Sequence, residues 1–344
     1  MHMADALISP TMGGTLWAAS AGLIAYCARK VRASAAEHLT PLMGVLGAFI
    51  FASQMINVAI PGTGSSGHLS GGLILAILLG PYAAFLVIAS VLVVQALFFA
   101  DGGLLALGCN IFNMGFFAAF VAYPLIYRPL ARDEYNTPRA WGASLLAAIV
   151  ALQLGAFGVV LETTMSGITD LAFSSFALLM QPIHLGIGLV EGLATAAVVA
   201  FVGNARPEVL SVRLAPTRSR SLRPVYIGLI AVTVLIGGVA SWFASTRPDG
   251  LEWSLEKITG ETELAAPAEG AHDRLAAIQE RSAIMPDYDF KSAPAEGEES
   301  PNWPAVGAGT SVSGIVGGAM TMGIAILIGL AVRMGARSRE RTVG

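Results

Sequence analysis

The sequence predicts an all-α integral membrane protein of about nine transmembrane helices, with its amino terminus outside and its carboxyl terminus inside. Three observations carry that expectation. Only 12% of the 344 residues are charged and 55% are hydrophobic, against about 25% charged in an average soluble domain. Eight apolar runs have about the length, ~20 residues, that a helix needs to cross the hydrocarbon core. The basic residues concentrate in alternate connections, as the positive-inside rule requires.

The runs lie near 13–29, 41–59, 70–100, 102–127, 140–162, 175–203, 224–244 and 312–333. The third is too long for one crossing, and Gly80-Pro81 within "LLGPYAAF" splits it, because proline cannot continue the helical hydrogen-bond ladder. The first of the two resulting helices is the shorter. Arg29, Lys30 and Arg32 follow the first span, and Arg128, Arg132 and Arg139 follow the fifth. Arg206, Arg213, Arg218, Arg220 and Arg223 follow the seventh, and Arg333, Arg337, Arg339 and Arg341 end the chain. These account for 15 of the 20 Lys and Arg residues. The loops "NVAIPGTGSSGHLS", "FFADGG" and "LETTMSGITD" carry none and fall on the opposite side, with Met1. No basic leader precedes the first apolar run, so residue 1 is expected to be the mature amino terminus.

The one long hydrophilic stretch, 245–312, holds 13 acidic and five basic residues. It reads as a loosely ordered, solvated acidic loop on the outer side, or as a collector of cations near an entrance. Cys27 and Cys109 lie far apart in apolar runs and read as packing residues. The chain has no GxxxxGK[ST] loop, HExxH or GxSxG, so nucleotide hydrolysis and the common hydrolase chemistries find no support.

Histidines are the chemically informative residues. His38 and His272 fall in hydrophilic stretches and read as solvated. His2 and His68 both fall on the outer side, and the Gly/Ser-rich "PGTGSSGHLSGG" is a loop that can carry His68 inward. A free Met-His start offers the Met1 amine, the His2 backbone nitrogen and the His2 imidazole to one cation in fused rings. The His68 imidazole would complete a plane of four nitrogens. That donor set favours Ni(II) or Cu(II), with Co(II) weaker, and steep pH dependence, since each donor must lose its proton. On these residues alone the alternative is a solvent-exposed His2 and a His68 hydrogen-bonded within its own loop.

Three blocks within residues 1–210 carry a family resemblance. "MHMADALISP" resembles the MHIPDGFLSP-like start of the CbiM/NikM family, the substrate-capturing components of energy-coupling-factor transporters for cobalt and nickel. "NVAIPGTGSSGHLSGG" resembles that family's NFPIPGGTSGHLLGG-type loop, and "HLGIGLVEGLATA" its HxxIGxGEGLITA-type helix. Met3 stands where the family has Ile, and Ala4-Asp5-Ala6 where it has Pro-Asp-Gly. The resemblance implies metal ligands at Met1 (amine), His2 (amide and imidazole) and His68. "PDGLEWSLEK" at 248–257, with the last span, resembles the PDGLE-type accessory component, NikN-like. The chain then divides into a CbiM/NikM-like bundle over 1–205, a basic cytoplasmic linker over 206–223 and a two-helix NikN-like module over 224–344.

Polar residues inside apolar helices are costly and face the bundle interior. Of Gln54, Asn57, Gln95, Asn110, Asn113, Gln153, His184 and Glu191, Asn57 directly precedes the Gly-rich loop and is the candidate to orient His68. Gln54 and Ser66 are weaker candidates for the same role. Most of the others read as interhelical hydrogen-bonding groups, and neither His184 nor Glu191 is expected to bind metal. Gly14, Ala18 and Gly22 recur every four positions and suit close helix contact, with a partner or within the bundle.

The expected function is capture of Ni(II) or Co(II) from outside and delivery across a bacterial inner membrane, without a permanent cofactor, catalysis or nucleic acid. The resemblance implies a transmembrane coupling subunit (CbiQ/NikQ-like) and ABC-type ATPase subunits (CbiO/NikO-like) as partners, and the "PDGLEW" block tilts the metal toward nickel. Two rivals stand beside it. One is an ion-coupled secondary transporter using Glu191, and the other a membrane-embedded metalloenzyme using His184 and Glu191.

Overall fold

In hydrocarbon a backbone must pair its own N–H and C=O groups, so apolar runs fold as helices. The computed structural model describes residues 2–34, 39–210, 222–267, 270–291 and 303–343. Helix α1 spans Pro10–Ser34, α2 Leu39–Gln54, α3 Gly72–Leu79, α4 Pro81–Phe99, α5 Leu107–Ala131, α6 Pro138–Ser166 and α7 Phe173–Ala205. They are followed by α8 Arg223–Gly238, α9 Gly250–Thr259, α10 Gly270–Ser282 and α11 Ala308–Val343. The chain is an all-α membrane protein. Among the described residues, α4, α5, α6, α7 and α11 are long and apolar enough to cross a bilayer, and α2 and α8 are shorter apolar helices. His38 and most of the basic stretch expected as the linker lie outside the described residues.

The break expected at Gly80-Pro81 is present. Gly80 has φ 78°, a left-handed conformation, and Pro81 takes the first position of α4, where its missing N–H costs nothing. Helix α3 is only 8 residues, about 12 Å at 1.5 Å per residue. It does not reach across the core by itself. The loop before it, residues 55–71, buries Ser65, Ser66, Gly67, Ser70 and Gly71 against the neighbouring helices, where irregular backbone can find protein partners.

Helix α4 is almost wholly buried and forms the axis of the bundle. α1, α2, α3, α5 and α11 pack against it, while α6 and α7 run side by side along the edge. The carboxyl-terminal helices α8 and α11 both lean on α2 and cross each other at Gly237 and Gly314. A Cβ on Gly237 would stand 3.1 Å from the Gly314 backbone, so only glycine permits this crossing. The small residues Gly14, Ala18 and Gly22 lie exposed on the outside of α1, and no neighbour stands within 4 Å of a Cβ built on Gly14 or Gly22. The bundle interior therefore does not account for that stripe.

The acidic stretch departs from its expectation. Over 250–259 and 270–282 it is helical, and it packs on the bundle instead of standing in solvent. Asp249 starts α9 with a capping box, accepting from Leu251 and Glu252 N–H while Glu252 accepts from the Asp249 N–H. His272, expected to be solvated, is 5% exposed, and its Nε2 bonds the Ile8 carbonyl at 2.9 Å. Hydropathy misplaces it because its partner lies 264 residues away.

Candidate metal-capture site

The segment from His2 to Ile8 packs into the bundle. Met3, Leu7 and Ile8 are all 1% exposed or less. Asn110 on α5 grips the segment twice: its Oδ1 accepts from the Met3 N–H at 2.8 Å, and its Nδ2 donates to the Met3 carbonyl at 3.2 Å. The Gly103 N–H donates to the same carbonyl, and the Asp5 carboxylate accepts from the Ala106 N–H at 2.9 Å. The loop "ADGGL" must come this close, since a Cβ on Gly103 would overlap Asp5.

These bonds hold His2 inside, with its side chain 7% accessible. Its Nδ1 lies 2.8 Å from Asp101 Oδ1. Its Nε2 is buried with no hydrogen-bond partner among the described residues. Burial alone would raise the Asp101 pKa, yet the His2 ring and the Tyr288 hydroxyl outweigh it and hold the carboxyl below its ordinary range. Met1 lies outside the described residues.

The His68 ring stacks on that of His2, with centroids 5.0 Å apart and planes 21° apart. Its Nδ1 lies 3.0 Å from the Leu69 carbonyl. A carbonyl only accepts, so Nδ1 carries the hydrogen and Nε2 keeps its lone pair.

The loop is set from below by Glu191 on α7. Its Oε2 accepts from the Ser70 N–H at 2.8 Å, and its Oε1 accepts from the Ser70 hydroxyl at 2.6 Å and the Gly71 N–H at 3.1 Å. Gln54 adds a fourth tie, donating to the Ser70 carbonyl at 2.8 Å, and Gln95 donates in turn to Gln54. Gly67 lies so close to Ile187 that a side chain there would not fit. Two residues per strand, Val58–Ala59 (β1) and Ser66–Gly67 (β2), pair antiparallel and close the loop's neck.

The other anticipated residues stand as follows. Gln54 supports the loop through Ser70. The Ser66 N–H donates to the Pro248 carbonyl at 2.8 Å and its hydroxyl to the Arg247 carbonyl at 2.7 Å, so Ser66 ties the loop to the segment before α9. Asn57 accepts from the Ser245 N–H through its backbone carbonyl, while its side-chain Oδ1 is buried without a hydrogen-bond partner among the described residues. His184 donates from Nδ1 to the Met180 carbonyl at 2.7 Å, within its own helix, and its Cε1 faces Gly250. Glu191, with both oxygens engaged by the His68 loop, serves as a loop anchor.

Asp101, Asn110 and Tyr288 were not anticipated in these roles. The local signs were the cluster of glycines beside Asp101 and the polar Asn110 in an apolar helix. Among the described residues no group of three or more His, Cys, Asp or Glu side chains is spaced to hold a metal.

Comparison with known proteins matches two families along the chain. Residues 2–209 match the family described as cobalt uptake substrate-specific transmembrane region, and residues 223–334 match the PDGLE domain. The chain is 30% identical to the fused nickel transport protein NikMN of Rhodobacter capsulatus over the full length of both. It is 36% identical to a putative fused nickel transport protein NikMN of Archaeoglobus fulgidus, over 72% of this chain and 80% of that one. A crystal structure of a truncated transition metal transporter superposes with a TM-score of 0.53 at 31% identity, covering 60% of this chain and 99% of the other. The chain belongs to the cobalt-uptake substrate-specific transmembrane family, and it carries a PDGLE domain fused behind that region.

Proposed function

We propose that this chain captures Ni(II) or Co(II) and delivers it across the inner membrane as the substrate-specific part of an ATP-driven uptake system. One observation carries the reading: His2, at the start of the chain, is buried against His68 with ring centroids 5.0 Å apart. The amine of Met1, the amide of His2 and His2 Nδ1 would take three successive corners of a plane. His68 Nε2 would take the fourth, next to the His2 ring. Two imidazoles at adjacent corners, with metal–nitrogen bonds of about 2 Å, have centroids about 4–5 Å apart. The separation in the structure is close to that. Two imidazoles, one amide and one amine include only two side-chain donors, which fits the absence of a three-side-chain cluster among the described residues.

Planar nitrogen ligation selects nickel and cobalt over Mg(II) and Ca(II), which take oxygen donors. The relatives named for nickel and cobalt transport support the same cargo. The chain would make nine passes, counting the loop before α3 with α3 as one, with the site opening outward and the basic loops inside. A transmembrane coupling subunit and an ABC-type ATPase would supply the energy. The exposed small-residue stripe of α1 would offer them a close-packing face, and the basic stretch 206–223 would link the two domains. Release would follow when partner motion withdraws the amino-terminal segment or opens the His68 loop.

The test is competitive Ni(II) and Co(II) titration of purified full-length chain, beside His2→Ala, His68→Ala and a chain lengthened by two residues before Met1. The reading expects one metal per native chain and loss of tight binding in all three variants. Tight binding by the lengthened chain would overturn it.

A further inference from the structure

We infer that Asp101 positions the His2 ring for metal capture and that Tyr288 of the PDGLE domain holds Asp101 in place, so the fused domain tunes the grip of the first. This deepens the four-nitrogen reading and rests on it.

A fused chelate from the amine and amide of the chain's start closes only through His2 Nδ1, because Nε2 is out of reach of the ring. In the structure that nitrogen faces Asp101, while Nε2 is buried with no hydrogen-bond partner among the described residues. A half-turn about the Cβ–Cγ bond exchanges the two edges of the imidazole. It frees Nδ1 for the metal and brings Nε2–H toward Asp101. Metal-bound histidines characteristically donate their second N–H to a carboxylate, which fixes the ring and raises its basicity. Among the described residues, Asp101 is the acid within bonding distance of His2.

What fixes Asp101 comes from the other domain. The Tyr288 hydroxyl donates to Asp101 Oδ2 at 2.5 Å, leaving Oδ1 for His2. The Tyr288 ring stacks on Phe99 at 5.1 Å and meets Phe51 at 6.2 Å. The segment around it is pinned to the end of α4: Ile284 and Met285 N–H donate to the Phe98 carbonyl, and Gln279 Nε2 donates to the Ala96 and Gly102 carbonyls. Asp287 and Tyr288 have φ of 51° and 62°. Side-chain-bearing residues enter this left-handed region at a cost. Two in succession are held there by the contacts that aim Tyr288 inward.

The test uses the full chain with Ni(II) alone, following affinity by competition, release to a chelator, and the ligand-field absorption of the bound metal. Asp101→Asn keeps the volume and removes an acceptor for the His2 N–H. It is expected to weaken binding about 10- to 100-fold, the usual range for such outer partners, and to shift the absorption band. Tyr288→Phe, which keeps the ring stack, is expected to weaken binding less. The double variant should be no worse than Asp101→Asn, because both act through one group. Asp101→Glu should restore part of the loss. If Asp101→Asn fails to fold, Tyr288→Phe decides: faster release with a shifted band supports the inference, and native affinity and spectrum overturn it. Native affinity and spectrum in both single variants, or losses that multiply in the double one, also overturn it. His2→Ala in the same series separates the two readings. Tight binding without His2 removes the four-nitrogen site itself, whereas loss with His2→Ala but not with Asp101→Asn removes only the role of Asp101.

Discussion

Glu191→Gln is the substitution whose effect the structure specifies most closely. The carboxylate receives the Ser70 N–H, the Ser70 hydroxyl and the Gly71 N–H, all beside His68. Glutamine is the same size but presents an NH2 where one oxygen was. That group meets an N–H donor head-on and leaves at least one buried backbone N–H unpaired. An unpaired buried donor costs roughly 1–3 kcal/mol. Ser70 also keeps its tie to Gln54, so the loop should loosen without leaving its cleft. If the whole penalty falls on the placement of His68, nickel affinity drops by about 5- to 150-fold. The assay is competitive Ni(II) titration of the detergent-purified chain, with metal-free thermal unfolding run alongside. Unchanged affinity would refute the view that Glu191 works by holding the His68 loop. An ion-coupled carrier predicts a different pattern: static affinity kept and proton-driven transport lost in the isolated chain.

Three further outcomes follow from the same geometry. Affinity should fall as pH falls, through the amine, whose free value is about 7.7–8.0, and through the amide. Affinity that stays flat from about pH 5.5 to 8.5 would count against both as donors. Asn110→Ala removes both side-chain bonds on Met3, leaving a buried N–H unpaired at roughly 1–3 kcal/mol. Release of Ni(II) to a chelator should accelerate, and an unchanged rate would count against the amino-terminal segment as the grip. Ala18→Leu on the exposed face of α1 should leave nickel binding by the isolated chain intact and reduce ATP-dependent uptake by cells that carry the partner subunits. Equal uptake would remove that face as a docking surface.

The sequence by itself determined the class of protein, the place of its long apolar helices, the break at Gly80-Pro81 and the choice of His2 and His68, whose rings the fold brings together. Each of these follows from local chemistry: apolar length, a proline's missing N–H, a terminal dipeptide's donors and a glycine-rich loop. The support around those histidines was decided only in three dimensions. Asn110 reaches Met3 across 107 residues, Glu191 reaches Ser70 across 121, and Tyr288 reaches Asp101 across 187. Such pairs leave no periodicity in the chain. Asn57, Asn110 and Glu191 look alike as polar residues in apolar surroundings until their neighbours are known. The acidic stretch shows the same limit. Its composition suits solvent, yet Asp249 caps α9 and His272 bonds Ile8. A charge pattern reports what a segment tolerates, whereas burial depends on which distant surface it meets.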